Sequence, residues 1–205
     1  MLQRFPLPLH HTHREKQVFM DEQQLVAGCK RGDAQARRVL YEQYAPAMLS
    51  LCVRYVHDQE TARDLLQDGF VKVFTKIETY SAKGPLGAWI RRVFVTTALE
   101  YLRKYDALRS SVPLDEYEEQ VEDPDASVLD RLSADDLLAC VSRLPEGYRT
   151  VFNLYALEGY THKEIASLLH IEEITSRSQF SRARKVLQEM VQAFMEEKNG
   201  SKQKR

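Results

Sequence analysis

Residues 160–189 contain two helical patterns separated by a short break, and this pair sets the strongest limit on the fold. The first begins at Thr161, where Glu164 three residues later predicts a capping box that satisfies free amides of the first turn. His170 and Ile171 interrupt the pattern. The second helix then has an apolar side with three- and four-residue spacing, formed by Phe180, Ala183, Leu187, Met190 or Val191, and Phe194.

The other side of this second helix is basic and rich in hydroxyl groups. From Ile174 to Gln188 there are four Arg or Lys residues and no acid. The outward positions are Arg177, Ser178, Ser181, Arg182 and Lys185. This combination favours a helix-turn-helix, in which one side docks the helix and the other meets phosphates and base edges of DNA. An ordinary amphipathic helix pair in a bundle is the alternative, although its solvated face usually carries both signs of charge.

The rest of the chain also has helical periodicity, and no alternation long enough for a strand occurs. Asp21, Asp33 and Asp58 each precede a helical pattern as an N-cap residue. Pro46 should kink or restart the second pattern, because proline lacks an amide and clashes one turn back. Further helices are predicted over residues 59–80 and 88–108, and from residue 128 onward. The sequence therefore predicts an all-α fold.

A segment with two prolines and many acids separates two groups of helices. Between Asp115 and Asp136 the sequence has ten acids against Arg131 alone, a net charge of −9, so the remainder carries +8. Because its apolar residues follow no sustained helical or strand periodicity, this segment is predicted to be a flexible acidic linker. We expect two small helical domains, at 21–109 and 128–197, a linker at 110–127, and disordered tails at 1–20 and 198–205.

Several classes of protein are disfavoured by what the sequence lacks. Cys29, Cys52 and Cys140 are isolated and occupy apolar helical positions, so we expect buried small side chains in a reducing compartment. No apolar run is long enough for a membrane span, and the first twenty residues do not resemble a signal peptide. No catalytic triad, metal-ligand spacing or phosphate loop is visible. We therefore expect no enzyme activity, cofactor, metal or small-molecule substrate.

Four blocks together resemble the extracytoplasmic-function group of bacterial sigma-70-type sigma factors. They are ARDLLQDGFVKVF, GPLGAWIRRVFVTTALEYLRK, LPEGYRTVFNLYALEGYTHKEIASLL and SRARKVL, in the family's order, and the resemblance covers residues 22–194. It implies a cytoplasmic protein that binds core RNA polymerase, directs it to promoter DNA and opens the start site. It also implies an anti-sigma factor as a partner, and no direct membrane insertion. The family commonly packs its two domains together, or onto an inhibitor, when polymerase is absent.

The resemblance assigns roles in the first domain. Asp64, Gln67 and Asp68 would face the clamp helices of the polymerase, although the residues alone favour a solvated face. The loop over residues 80–87 would capture a flipped base of the minus-10 element, at a cost of roughly a few kcal/mol in unstacking. The residues implied for this element are Lys83, Gly84, Arg91, Arg92, Thr96, Arg103 and Lys104. Thr96 stands where many members have Asn, so minus-10 specificity should differ. Trp89 is predicted to lie in the core rather than stack on a base.

In the second domain the resemblance implies recognition of the minus-35 element. Arg177, Ser178, Ser181 and Arg182 match positions of the recognition helix, and arginine can bind guanine in a bidentate manner. Arg149, Arg184 and Lys185 are the implied phosphate contacts. Three departures lie in the turn: His170 and Ile174 replace common glycines, and Glu172 replaces a better N-cap residue. His162 is predicted to be a surface residue rather than a pH switch.

Two other functions remain open from the residues alone. A helix-turn-helix regulator that is not a polymerase subunit would leave the first domain unexplained. A helical interaction protein with no DNA role predicts behaviour that is insensitive to salt, whereas phosphate binding falls steeply with salt. The acidic linker is either a simple tether or a mimic of a nucleic-acid strand in the polymerase cleft.

Overall fold

The computed structural model describes residues 20–56, 58–104 and 134–202, without the side chains of 134, 135, 137 and 194–202. All regular structure in these ranges is helical, which confirms the predicted all-α fold. The first group comprises α1 (Glu22–Lys30), α2 (Ala34–Val56), α3 (Gln59–Lys76), a 3₁₀ turn (Ile77–Thr79) and α4 (Leu86–Lys104). The second comprises α5 (Ala134–Ser142), α6 (Glu146–Phe152), a π-helical turn (Asn153–Leu157), α7 (His162–Leu169) and α8 (Glu173–Lys202). The predicted linker lies outside the described residues.

Side-chain caps fix where several helices begin, as the sequence predicts. Asp21 and Gln24 form a capping box at α1, and Thr161 and Glu164 form another at α7. The Asp58 carboxylate accepts a 2.7 Å hydrogen bond from the amide of Thr61 at the start of α3. Hydrogen bonds from the amide and the hydroxyl of Thr61 lower the pKa of Asp58, because they stabilise its charged form. Local polar chemistry therefore defines these helix starts independently of tertiary packing.

The core of the first domain is formed by one apolar side of each of α1 to α4. Its largest buried side chains include Leu40, Tyr55 and Phe94. Gly69 of α3 is required for the close approach of α4, since a Cβ there would lie 2.3 Å from Cε1 of Phe94. Cys29 and Cys52 lie in this core, and burial raises the pKa of the Cys52 thiol to about 12. All three cysteines of the chain are buried and free, as predicted.

The prediction of a helix restart at Pro46 is wrong, because α2 continues through it from Ala34 to Val56. Pro46 is exposed on the outer side of the helix. The helix packs against both α3 and α4, and it has buried residues before the proline, such as Leu40, and after it, such as Met48 and Leu51. Tertiary contacts thus outweigh the loss of one backbone hydrogen bond.

The second group of helices, α5 to α8, is called the second domain, and it is built around a helix-turn-helix. Its own core contains Cys140, Val141 and Leu144 of the α5 region, Tyr148 of α6, and Ala183, Leu187 and Val191 of α8. The turn between α7 and α8 contains His170 in the left-handed conformation, with φ 57° and ψ 44°. Its amide donates to the carbonyl of Ala166 and ends α7. Histidine therefore adopts here the conformation that glycine takes more easily.

The two domains pack directly against each other. Val151, Leu154 and Ile165 of the second domain belong to the same buried apolar cluster as the core of the first. Asn153 Nδ2 donates a 3.0 Å hydrogen bond to the carbonyl of Arg54, at the C-terminal end of α2. Within the ranges that the structure describes, no helix has both the length and the apolarity to cross a bilayer.

Candidate nucleic-acid interface

One exposed face of α3 is acidic. Asp64, Gln67 and Asp68 all lie in solvent, opposite the buried Leu65, Leu66, Phe70 and Val73. Val71 follows them on the same face, three and four residues further on, and is 63% exposed. Sequence analysis missed Val71, although its spacing from the three polar residues is visible. The result is a face with two carboxylates, an amide and one apolar side chain.

A cleft of about 500 Å³ lies where the loop before α4 meets the second domain. Its walls include four of the residues implied for the minus-10 element, Lys83, Gly84, Arg91 and Arg92. The loop is held in shape by Tyr80, whose hydroxyl lies 2.6 Å from the carbonyl oxygen of Gly84 and 2.9 Å from Oε1 of Glu22. Burial and the nearby Glu22 carboxylate raise the pKa of Tyr80. The structure thus brings basic side chains together around a preformed concave surface.

Trp89 takes part in both the core and the cleft. Its ring packs partly buried against the first-domain core, with its centroid 5.6 Å from that of Tyr80. It also lines the cleft, beside Arg92. Ala82 in the same loop has a positive φ of 55°, which costs free energy for a residue with a Cβ. Such strain occurs often at functional sites.

The remaining minus-10 residues lie further along α4. Thr96 is one turn beyond Arg92, and its hydroxyl donates a 2.9 Å hydrogen bond to the carbonyl of Arg92. Arg103 and Lys104 are exposed near the C-terminal end of the helix. At a rise of about 1.5 Å per residue, Arg103 is about 18 Å from Arg91 along the axis. These residues therefore form an extended basic edge rather than one pocket.

Glu158 is the residue in the cleft that sequence analysis did not identify. It lies in the second domain just after the π-helical turn, and its side chain is 2% exposed. Its carboxylate pairs with Arg54 Nη2 at 3.3 Å and with Arg91 Nη2 at 2.9 Å, and it also accepts a hydrogen bond from Arg91 Nε. A predicted DNA-binding arginine is therefore bound by a carboxylate of the other domain.

The recognition helix presents the predicted residues on the side opposite its buried positions. Ser176, Ala183 and Leu187 point inward. The outward side carries Arg177, Ser178, Ser181, Arg182 and Lys185, with Arg184 at one edge beside the ring of Phe180. Arg177 pairs with Glu173 at 2.6 Å on the helix surface.

Ile174 is at the centre of this outward side and is 71% exposed. It precedes Arg177, Ser178 and Ser181 by three, four and seven residues, which places all four on one helical face. Its position was visible in the sequence only as a departure from the family pattern. The recognition face therefore contains an apolar side chain among basic and hydroxyl groups.

His162 joins the two helices of the helix-turn-helix. Its Nδ1 atom lies 2.9 Å from the hydroxyl oxygen of the buried Ser176. The ring stacks on Tyr155, with centroids 4.3 Å apart and planes inclined by 13°. Burial lowers the pKa of His162, with a further contribution from Arg177. The side chain is half-buried and structural, so it is not the surface residue that the sequence predicts.

Arg149 lies in a place that the sequence did not indicate. The residue is buried, and its guanidinium donates to the carbonyls of Ser142 at 3.0 Å, Leu144 at 3.5 Å and Tyr55 at 3.3 Å. Burial lowers its pKa. In this arrangement Arg149 joins the domains and is withdrawn from solvent, so a phosphate contact is a prediction only for separated domains.

Comparison with known proteins identifies the class to which this fold and these surfaces belong. The model of sigma-70 region 2 matches residues 40–107, and that of sigma-70 region 4 matches residues 134–187. Together they account for more than half of the chain. The chain belongs to the sigma-70 family of RNA polymerase sigma factors.

Relatives along most of the chain define the group within that family. The RNA polymerase sigma-H factor of Pseudomonas aeruginosa is 28% identical over 187 residues, which cover 86% of this chain and 96% of that protein. The ECF RNA polymerase sigma-E factor of Haemophilus influenzae is 26% identical over 186 residues, which cover 86% of this chain and 98% of that protein. The chain is thus a sigma factor of the extracytoplasmic-function group, and it directs the initiation of transcription.

The similar solved structures include a co-crystal structure of the sigma factor RpoE with the anti-sigma factor NepR from Bartonella quintana. The match covers 76% of this chain and 96% of the RpoE chain, at 20% sequence identity and a TM-score of 0.48. A second match is to the structure of CnrH in complex with the cytosolic domain of CnrY. It covers 82% of this chain and 96% of the matched chain, also at 20% sequence identity, with a TM-score of 0.47.

Proposed function

We propose that three surfaces divide the work of this sigma factor. The acidic face of α3 binds core RNA polymerase, the cleft and basic edge of α4 bind the minus-10 element, and the recognition face of α8 reads the minus-35 element. The first surface and the second lie in a domain spanning residues 21–109, and the third in a domain spanning 128–197. The acidic linker between them follows the path of nucleic acid in the polymerase or serves only as a tether.

The observation that supports this proposal best is the cleft around Lys83, Gly84, Arg91 and Arg92. A concave surface with basic walls and the edge of Trp89 suits an extruded base and the phosphates beside it. The protein acts in the cytoplasm, has no catalytic role of its own and uses no cofactor, since the polymerase performs the chemistry. An anti-sigma factor is the second protein partner that family membership favours.

Permanganate footprinting of promoter DNA tests this role for the cleft. Core polymerase with the protein is expected to make thymines reactive around the minus-10 element, whereas core polymerase alone leaves them paired. Binding of the polymerase without protein-dependent opening on any fragment of a promoter library would contradict the proposed role of the cleft.

The recognition face separates base reading from phosphate binding. Arg177→Ala is expected to relax the preference for guanine at one minus-35 position by about 1–3 kcal/mol, because a bidentate base contact is lost. Lys185→Ala is expected to weaken binding to all promoters alike and to lower the salt slope by about 1. Competition binding of the holoenzyme to a randomised minus-35 library at two salt concentrations measures both effects. Equal effects of the two changes on base preference would contradict this division.

Ile174 adds an apolar contact to the same face. We expect its side chain to lie against a thymine methyl group in the major groove, where apolar contacts distinguish thymine. Replacing that thymine with uracil removes only the methyl group and is expected to weaken holoenzyme binding about fourfold, the value for one buried methylene-sized group. Ile174→Ala should abolish this difference. Uracil at a position outside the minus-35 element is the control, and equal sensitivity of both proteins to uracil would contradict the contact.

A further inference from the structure

The ion pairs of Glu158 hold the second domain to a basic site of the first. One carboxylate with a 2% exposed side chain binds two arginines, Arg54 at the end of α2 and Arg91 of α4. The carbonyl of Leu157 also lies 3.4 Å from Arg91 Nη2. Arginine binds carboxylates and phosphates with the same fork of parallel hydrogen bonds. The Glu158 carboxylate therefore occupies a position in which a phosphate would meet the same donors.

This position adjoins the cleft in which the minus-10 strand is proposed to bind. Arg91 lines the cleft together with Lys83 and Arg92, and Glu158, Tyr160 and Glu164 line it from the second domain. Two carboxylates thus face three basic side chains across the cleft. A DNA strand entering here would place phosphates where these carboxylates lie, so strand binding and domain packing compete for the same space and charge.

The contact between the domains includes polar groups as well as apolar ones. Five buried side-chain atoms have no hydrogen-bond partner within the described protein: Arg54 Nε and Tyr55 Oη of α2, Arg149 Nε and Thr150 Oγ1 of α6, and Asn153 Oδ1 of the π-helical turn. Three of these residues, Arg54, Arg149 and Asn153, also make hydrogen bonds between the domains. A buried polar group without a partner opposes folding and association. Separation of the domains would expose the unpaired atoms of Arg54, Arg149 and Asn153 to water, which offsets part of the lost apolar contact.

We propose that Arg54 and Arg91 form a phosphate-binding site for the unpaired promoter strand, and that Glu158 occupies this site while the domains are packed together. The site extends the minus-10 surface to α2, which had no assigned role in DNA binding. The inference rests on the proposed function of the cleft. It makes the closed arrangement and the strand-bound arrangement mutually exclusive.

Glu158→Gln in the full-length protein tests the proposal without polymerase. Dyes on Gln43→Cys and Gln192→Cys, which are exposed on α2 and α8, report the distance between the domains by energy transfer. The native cysteines are buried, so the new thiols are the reactive ones. We expect energy transfer to fall. Binding of a fluorescent single-stranded minus-10 oligonucleotide should tighten about tenfold, if release raises the competent fraction from about a tenth to nearly all.

Matched variants separate the two parts of the proposal. Adding Arg91→Ala or Arg54→Ala to Glu158→Gln should abolish the tighter strand binding, whereas Arg31→Ala, which removes an exposed arginine of the first domain, should not. Exchanging all three charges with Glu158→Arg, Arg54→Glu and Arg91→Glu should restore closure while strand binding stays weak. Circular dichroism verifies that each variant is folded. If the Glu158→Gln protein does not fold, the charge-exchange variant still tests the proposal.

The outcomes distinguish this inference from the proposed function. If the holoenzyme opens promoters but Glu158→Gln neither separates the domains nor tightens strand binding, the inference is overturned. Separation without tighter binding also overturns it, because the arginines would then not bind the strand. If no variant binds the strand and the holoenzyme opens no promoter, the proposed role of the cleft itself fails.

Discussion

Replacing both Asp64 and Asp68 with lysine is expected to abolish binding of the protein to core RNA polymerase. Both carboxylates are exposed on one face of α3, beside Gln67 and the apolar Val71. We expect the polymerase surface that meets this acidic face to be basic, so charge reversal converts attraction into repulsion across the interface. Two reversals of this kind are expected to weaken binding by more than about a hundredfold, because like-charge juxtaposition costs several kcal/mol.

Surface plasmon resonance with immobilised core polymerase measures this effect. The matched control carries Glu42→Lys and Glu78→Lys, which change the net charge equally at exposed positions off this face. The control should bind within a few-fold of the unaltered protein. Equal losses in both proteins would show that net charge, rather than the α3 face, determines the binding.

Arg149→Ala is expected to lower the free energy of unfolding by about 3 kcal/mol, near the upper range for a single substitution. The guanidinium donates to three backbone carbonyls, one of which belongs to Tyr55 of the other domain. Its removal deprives these buried and partly buried carbonyls of this donor, and leaving a buried acceptor unsatisfied costs about 1–3 kcal/mol before relaxation. The second domain should loosen from the first at the same time.

Urea unfolding followed by circular dichroism measures the loss, with Arg143→Ala as the control. Arg143 is an exposed arginine immediately after α5, and its removal should change the stability by less than about 0.5 kcal/mol. The alternative role of Arg149 as a phosphate contact predicts the reverse pattern. Stability would then be unchanged, and the salt dependence of promoter binding by the holoenzyme would fall.

The elements that sequence analysis located well are those defined by local chemistry. Asp21, Asp58 and Thr161 each begin a helix through a side-chain cap, and the caps depend on residues within three positions. The acidic face of α3 and the outward side of the recognition helix follow directly from helical spacing. The restart predicted at Pro46 does not occur, because packing against two neighbouring helices keeps α2 continuous through a local defect.

The features that the sequence did not reveal depend on the other domain or on a change of helical period. A regular α-helix through residues 146–158 would place Tyr155 and Leu157 on the apolar side, yet both are exposed. The π-helical turn at Asn153–Leu157 adds one residue to the turn and shifts the register that follows. Glu158 reaches the arginines of the first domain from this shifted position. Such long-range pairing leaves no periodic signal in the sequence.

Run-off transcription with purified core polymerase on a library of promoter fragments, with and without this protein, tests whether the chain acts as a sigma factor. A sigma factor of the extracytoplasmic-function group should produce transcripts that depend on the protein and share two spaced motifs, near positions −10 and −35. The same transcripts should disappear with the Asp64→Lys and Asp68→Lys protein. If the protein binds promoter fragments by itself, while core polymerase neither binds it nor initiates with it, the chain is not a sigma factor.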